Sequence, residues 1–258
     1  MCQKGRFVPT DGDEKSTAQA SRILELLWRH HVPAKPGARG PKPGLTVDAV
    51  VAAGIALADR DGIAKLTIRA VAAQLGVRAM SIYTYVPSKE ALVVLMVDAV
   101  AAEDAPIPAE LPIRDRMIAV AERIRTELLA HPWLLEVSPW RQVLGPARMR
   151  RYEHQLAAIE GAGLSDLTMD RAIAVLTDFA TGNARLAVAA AGAAAQLSDA
   201  DWWRVHGPLL IQLISAEEFP LAGRVGAAVG EHYQAPADPD GAFAYGVATL
   251  VDGILADS

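Results

Sequence analysis

The segment TIRAVAAQLGVRAMSIYTY, residues 67–85, leaves its chain few folds to choose from. Val71, Leu75, Val77 and Ile82 are apolar at spacings that let two short helices close on a third. Ala72 is small where two helices cross closely, and Gly76, four positions later, stands where the chain must turn with positive φ. Ile82 follows six positions after that glycine. This is the spacing of a helix-turn-helix, whose second helix enters the major groove of DNA. The outward residues of that helix, Ala79, Met80, Ser81, Thr84 and Tyr85, are short or amphipathic groups able to approach base edges and phosphates. Spacing alone leaves a second reading open, because small helical hairpins with glycine turns also occur without DNA.

The rest of the chain is expected to be helical too. Thr46 can cap a helix to about Arg60, with Val47, Val50, Val51, Ile55 and Ala58 inward and Asp61-Gly62 as the stop. Thr67 caps a second helix ending at Gly76, Ala79–Tyr85 forms a third, and Ser88 caps a fourth from Lys89 to about Ala102. Beyond Pro106, Pro108 and Pro112, helices are expected near 113–131, 145–161, 166–195, 199–217 and 239–255. No alternating strand pattern bounded by turn residues and no internal repeat interrupts them. Before Thr46, Ser21–His31 places Ile23, Leu24, Leu27 and Trp28 on one helical face, and VPAKPGARGPKPGL then reads as an extended arm. The expected organisation is an extended segment with a basic arm (1–44), a three-helix helix-turn-helix domain (45–91) and a larger helical domain (92–258).

Charge is unevenly placed along the chain. The total is −5, which argues against a protein coated in nucleic acid. Residues 34–90 nevertheless carry eight bases against four acids, residues 1–33 are +1, and residues 91–258 are −10. A compact basic segment on an acidic body suits a DNA-binding module joined to a domain of another kind, although ordinary surface variation gives similar figures. The 52% apolar content is ample for a core and excludes a mainly disordered chain. No apolar run approaches the roughly 18 residues of a membrane span, and the N-terminus has no apolar signal stretch. The single cysteine, Cys2, excludes an internal disulfide framework. A cytoplasmic protein without membrane contact is expected.

With these motifs on view, Thr46–Val97 resembles the DNA-binding domain of TetR-family transcriptional repressors, chiefly in LADRDGIAKLTIRAVAAQLGV and SIYTYVPSKEAL. LLAHPW, RRYEHQLAAIEGAG, DFATGNARL and AFAYGVATLVDGI follow in the order of a tetracycline-repressor-type C-terminal domain. The resemblance implies a homodimer that binds palindromic operator DNA and is released by a small molecule. On its matching positions, Thr67 contacts phosphate as well as capping, and Arg69 reaches a base edge from outside the recognition helix. Arg69 is chemically suited to guanine, and a phosphate or salt-bridge role remains equally open. Tyr83, Tyr85 and Lys89 fall on positions that hold the sugar-phosphate backbone, and Ala79, Met80, Ser81 and Thr84 on base-reading positions. Without Asn, Gln or Arg among the latter, apolar contact with thymine methyls is the expected readout. Arg78 adds a phosphate contact at the helix start, while Arg39 and Lys42 in the arm either reach the minor groove or stay solvated.

On the ligand side, the expected contacts are His131, Trp133, Trp140, Phe179 and Asn183, although core packing accounts for any single ring equally well. His131 aligns with an effector-side histidine of tetracycline repressors, yet as a residue ending a helix it also reads as a cap, and no metal or cofactor is expected. A stripe of Phe243, Val247, Leu250 and Ile254 is expected to meet the 166–195 helix of a second subunit in a four-helix interface, the alternative being burial within one subunit. Effector binding is expected to strain the Lys89–Ala102 helix and shift the two reading heads. GxSxG, P-loop, HExxH and CxxC motifs are lacking, so an enzyme is the unfavoured reading, and a constitutive or architectural DNA-binding dimer is the nearer rival.

Overall fold

The computed structural model describes residues 11–31, 44–139, 143–215 and 217–256, with side chains from residue 17 onward. Among the described residues there are eleven α-helices and no strand. They divide into two compact units, one formed by the chain up to Ala105 with Glu136–His154, the other by Pro106–Leu135 and Gln155–Ser258.

In the first unit, α1 (Asp11–Leu27) precedes α2 (Val47–Asp61), α3 (Ile68–Gln74), α4 (Ala79–Tyr83) and α5 (Lys89–Ala101). Helix starts follow local chemistry. The hydroxyls of Thr46, Thr67 and Ser88 accept from the amides of Ala49, Ala70 and Ala91, each at 3.1 Å. α2 stops at Gly62, whose φ of +82° few other residues adopt. Its inward face is Val50, Val51, Ala53, Leu57 and Ala58, with Ile55 and Val47 only half-buried. That face packs on α5, where Leu92, Leu95 and Met96 are buried.

α1 is longer than the expected Ser21–His31 segment and ends earlier, at Leu27. Leu26 and Leu27 are buried, and α1 packs on α5. Behind it, Arg29 pairs with Asp48 and His30 Nε2 lies 3.3 Å from the same carboxylate, tying this tail to the first turn of α2. Burial pushes the Asp48 carboxyl up, but the hydrogen bonds and charges of Arg29 and His30 outweigh it and hold the group below its ordinary range. α7 (Pro146–Ile159) starts in this unit. Its first amides meet the buried Asp98 of α5, with Arg148 N–H donating at 3.0 Å.

In the second unit, α8 (Asp166–Ala194) packs on α6 (Ile113–Ala130) and on α11 (Pro239–Ala256). Met117, Val120, Leu176, Ala180, Ala184, Val247 and Val251 close this core, and Trp133 is buried on a short 3-10 turn, Pro132–Glu136. Alanine spacing on α8 permits the close approach, and the 29-residue helix matches its expected span.

Two expectations change here. Phe243 and Val247 are only 6% and 2% exposed within a single chain, so half of the stripe assigned to a subunit interface is spent on the subunit's own core. The expected 199–217 helix ends at Leu213 as α9 (Asp199–Leu213), and a further helix, α10 (Pro220–Tyr233), follows. Its glycines lower helix propensity and hide it from a reading of the sequence. Packing explains one of them: a Cβ on Gly230 would lie 2.3 Å from Cζ2 of Trp203.

Candidate functional site

The helix-turn-helix is built from α3 and α4. Ile68, Val71 and Ala72 are buried on α3, and Ile82 is fully buried on α4. Between them Gly76 takes φ +66°, and the Val77 amide returns to the Ala72 carbonyl at 3.0 Å, a closing bond that requires this left-handed turn. Fixing Ile82 and Val86 inward forces the neighbouring positions outward on so short a helix. Met80 is 75% exposed and Tyr83 47% exposed, with Ser81 and Thr84 exposed beside them, while Ala79 and Tyr85 are half-buried. The expected base-reading and backbone-holding side chains therefore crowd one short, mostly exposed helix.

Around that helix stand the cations. Arg69 and Arg78 are exposed. Thr67 is exposed and spends its oxygen on the cap of α3, which leaves its hydroxyl hydrogen to donate. Lys89 is half-buried, and its Nζ donates to the Ile63 carbonyl at 3.2 Å. This tie to the 3-10 turn Ile63–Lys65 holds the ammonium in place and leaves two of its hydrogens for another acceptor. Next to it, its own backbone amide and the Ser88 hydroxyl hold the Glu90 carboxyl below its ordinary range. That fixed negative charge offsets part of the positive potential at the start of α5. Arg39 and Lys42 lie outside the described residues.

Each described residue of the expected ligand set has a partner in its own chain. Trp133 is 1% exposed, with the His131 ring edge-on at 6.3 Å. The His131 amide closes α6 on the Glu127 carbonyl. Phe179 stacks on Phe243 with centroids 5.8 Å apart. Asn183 accepts from Arg125 Nε at 2.7 Å and donates to the Pro239 carbonyl at 2.8 Å, while Arg125 pairs with Asp240 and lies over the Phe243 ring at 4.8 Å. This cluster joins α6, α8 and α11. Trp140 lies outside the described residues.

A cleft lies in another part of this unit. α9 and α10 enclose a cleft of about 870 Å³, lined by Trp203, Ile211, Ile214, Phe219 and the glycines of α10. None of the expected ligand residues lines it. The sequence offered one signal, glycines recurring at 223, 226 and 230 beside a tryptophan-rich helix. Among the described residues no group of three or more metal-ligating side chains assembles. No described helix is long and apolar enough to cross a membrane.

Comparison with known proteins agrees with this geometry. Residues 50–96 match the family described as bacterial regulatory proteins, tetR family, and residues 106–257 match the tetracyclin repressor-like C-terminal domain. The chain is 35% identical over 247 residues to the HTH-type transcriptional repressor DrrR1 of Streptomyces coeruleorubidus, covering 94% of this chain and 88% of that protein. Its fold is similar to that of the Streptomyces coelicolor protein ActR in complex with actinorhodin, with TM-score 0.69 and 24% identity over 84% of this chain and 98% of that one.

Proposed function

Because the chain belongs to the TetR family of bacterial transcriptional regulators, we propose that it represses transcription as a homodimer on palindromic operator DNA and is released by a small molecule. The observation that carries the DNA-binding part is the outward set Met80, Ser81, Tyr83 and Thr84 over the fully buried Ile82. A surface with a thioether 75% and a phenol 47% exposed is poorly matched to water and well matched to a groove. Arg69, Arg78 and Lys89 supply phosphate charge at its edges, with Arg69 also suited to guanine.

Dimerisation is supported by what α8 and α11 leave uncovered. Val175, Leu186 and Tyr245 are exposed by 43%, 49% and 78%. Two such reading heads must meet major grooves about 34–36 Å apart or a multiple of that distance, so a dimer whose head spacing changes loses affinity without unfolding.

The effector belongs to the second unit in this reading. An effector that uses His131, Trp133, Phe179 or Asn183 has to displace contacts these residues already make, the Asn183 pair with Arg125 first among them. Footprinting of the DNA upstream of the protein's own gene, with and without candidate effectors, tests the whole reading. A protected palindrome that is lost on adding effector supports it, a palindrome insensitive to every effector marks a constitutive repressor, and no protection at all overturns it.

A further inference from the structure

The described methionines divide sharply by exposure. Met96 and Met117 are fully buried and Met169 is 8% exposed, whereas Met149 on α7 is 42% exposed and Met80 on α4 is 75% exposed. A peroxide oxidises a thioether where it can reach the sulfur, so among these residues Met80 is the first to react. Ala79, Ser81 and Thr84 beside it carry no group that a peroxide oxidises. Chemistry of this kind therefore alters one position of the outward set and leaves its neighbours as they were.

The place of Met80 gives that change its consequence. The base-reading positions of α4 hold no Asn, Gln or Arg, so they meet base edges through carbon, sulfur and two hydroxyls. In the reaction a sulfur lone pair attacks one oxygen of the peroxide, the O–O bond breaks and an S–O bond forms. With hydrogen peroxide the departing hydroxide takes the remaining hydroxyl proton and leaves as water. Sulfur loses two electrons and the peroxide gains them. The new oxygen only accepts hydrogen bonds, and a flexible apolar contact becomes a polar one. Pressing it against a thymine methyl, with no donor opposite, is unfavourable. The fold is spared, because Met80 stands outside the core and the fully buried Ile82 anchors α4. Arg69, Arg78 and Lys89 keep their charge, so attraction to phosphate is spared as well.

We propose that Met80 is an oxidation site through which a peroxide lowers the protein's affinity for its operator, reversibly, since methionine sulfoxide is reduced enzymatically. The site stands on the exposure of Met80, and its effect rests on the DNA-binding reading above. The full-length protein is treated with hydrogen peroxide and the oxidised positions are identified by peptide mass spectrometry. Met80 sulfoxide is expected to form ahead of Met149 sulfoxide. Fluorescence anisotropy then compares the duplex protected upstream of the protein's own gene with a scrambled duplex. Oxidation is expected to weaken the first about tenfold, to leave the second within about twofold, and to keep the melting temperature.

The two methionine sulfoxide reductases, one for each epimer, are expected to restore binding with dithiothreitol as reductant. Dithiothreitol alone, which reverses thiol oxidation at Cys2, is expected to restore none. Met149→Leu is expected to respond as the native protein does. Met80→Leu, whatever its starting affinity, is expected to lose nothing further on treatment. Met149 oxidised before Met80, operator affinity unchanged by Met80 sulfoxide, or a response that persists in Met80→Leu overturns the proposal while DNA binding stands. Recovery with dithiothreitol alone assigns the response to Cys2 and overturns it too. Untreated protein that protects no duplex overturns the DNA-binding reading, and the proposed effect with it.

Discussion

Gly145 lies against Asp98 so closely that a Cβ on it would come within 2.3 Å of the Asp98 carboxyl carbon. The carboxylate is buried, and it accepts from the Arg148 amide at 3.0 Å and the Ala147 amide at 3.5 Å. Asp98 on α5 thus serves as an N-terminal cap for α7 from another helix, and the glycine is what admits it. The expected consequence of Asp98→Ala is a loss of about 1–3 kcal/mol, because two amides at the start of α7 lose their side-chain acceptor. Gly145→Ala is expected to destabilise similarly by forcing the carboxylate away. Urea denaturation measures both, and a Gly145→Ala protein as stable as the native one refutes the contact.

The cations around α4 separate by role. Lys89→Ala is expected to weaken binding to all DNA sequences and to lower the salt slope of log K by about one unit. Arg69→Ala decides between its two readings. If the guanidinium reads guanine, discrimination at one base pair falls by about 1–3 kcal/mol, whereas a phosphate contact lowers the salt slope instead. Fluorescence anisotropy with operator and scrambled duplexes at several salt concentrations distinguishes these outcomes. Affinity that ignores salt refutes the electrostatic account.

For the dimer, inward and outward residues of α11 are expected to behave oppositely. Val247→Ala removes two methyl groups from the subunit's own core and is expected to cost about 2 kcal/mol of stability. Tyr245→Asp, at a position 78% exposed, is expected to leave the fold intact and weaken self-association. Light scattering of the native protein at micromolar concentration gives the reference, and a native monomer there removes the dimer from the mechanism.

Acid stability is expected to report on the latch between the α1 tail and α2. Asp48 is held below its ordinary range, so its contribution is present above the unfolded value of about 3.9 and is lost as pH falls through the lower folded value. Asp48→Asn removes the contribution at every pH. Its melting temperature is expected to lie below the native one at pH 7 and to converge with it toward pH 3. A constant difference across that range sinks the assignment.

Effector and operator are expected to oppose one another by equal factors, since linkage is reciprocal for binding free energies. Calorimetry with an identified effector, with and without operator, gives both factors. Equal effector affinity in the two titrations removes the switch and leaves the DNA-binding assignment standing.

Much of the helix-turn-helix was legible in residues 46–91, because its determinants act over three or four positions. Capping by Thr46, Thr67 and Ser88, the turn at Gly76 and the burial of Ile82 all follow from neighbours in sequence. α10 was not legible. Its glycines argue against a helix, and only the fold shows that Trp203, on a different helix, occupies the room that Gly230 leaves. Of the four-residue apolar stripe on α11, Phe243 and Val247 go to the subunit's own core, since periodicity marks a buried face without naming what buries it.

By itself, then, the sequence determined where most helices begin, the all-helical class and the outward placement of Met80, Ser81 and Thr84, because propensity, capping and short spacings are local properties of the chain. Only the tertiary structure decided that Phe243 and Val247 turn inward while Tyr245 turns out. It alone joined Asp98 to Arg148, 50 positions apart, and Arg125 to Asn183, 58 positions apart. It also opened the cleft between α9 and α10. Such pairings depend on how whole helices pack, and many packings satisfy one pattern of apolar residues until volume and hydrogen bonding select among them.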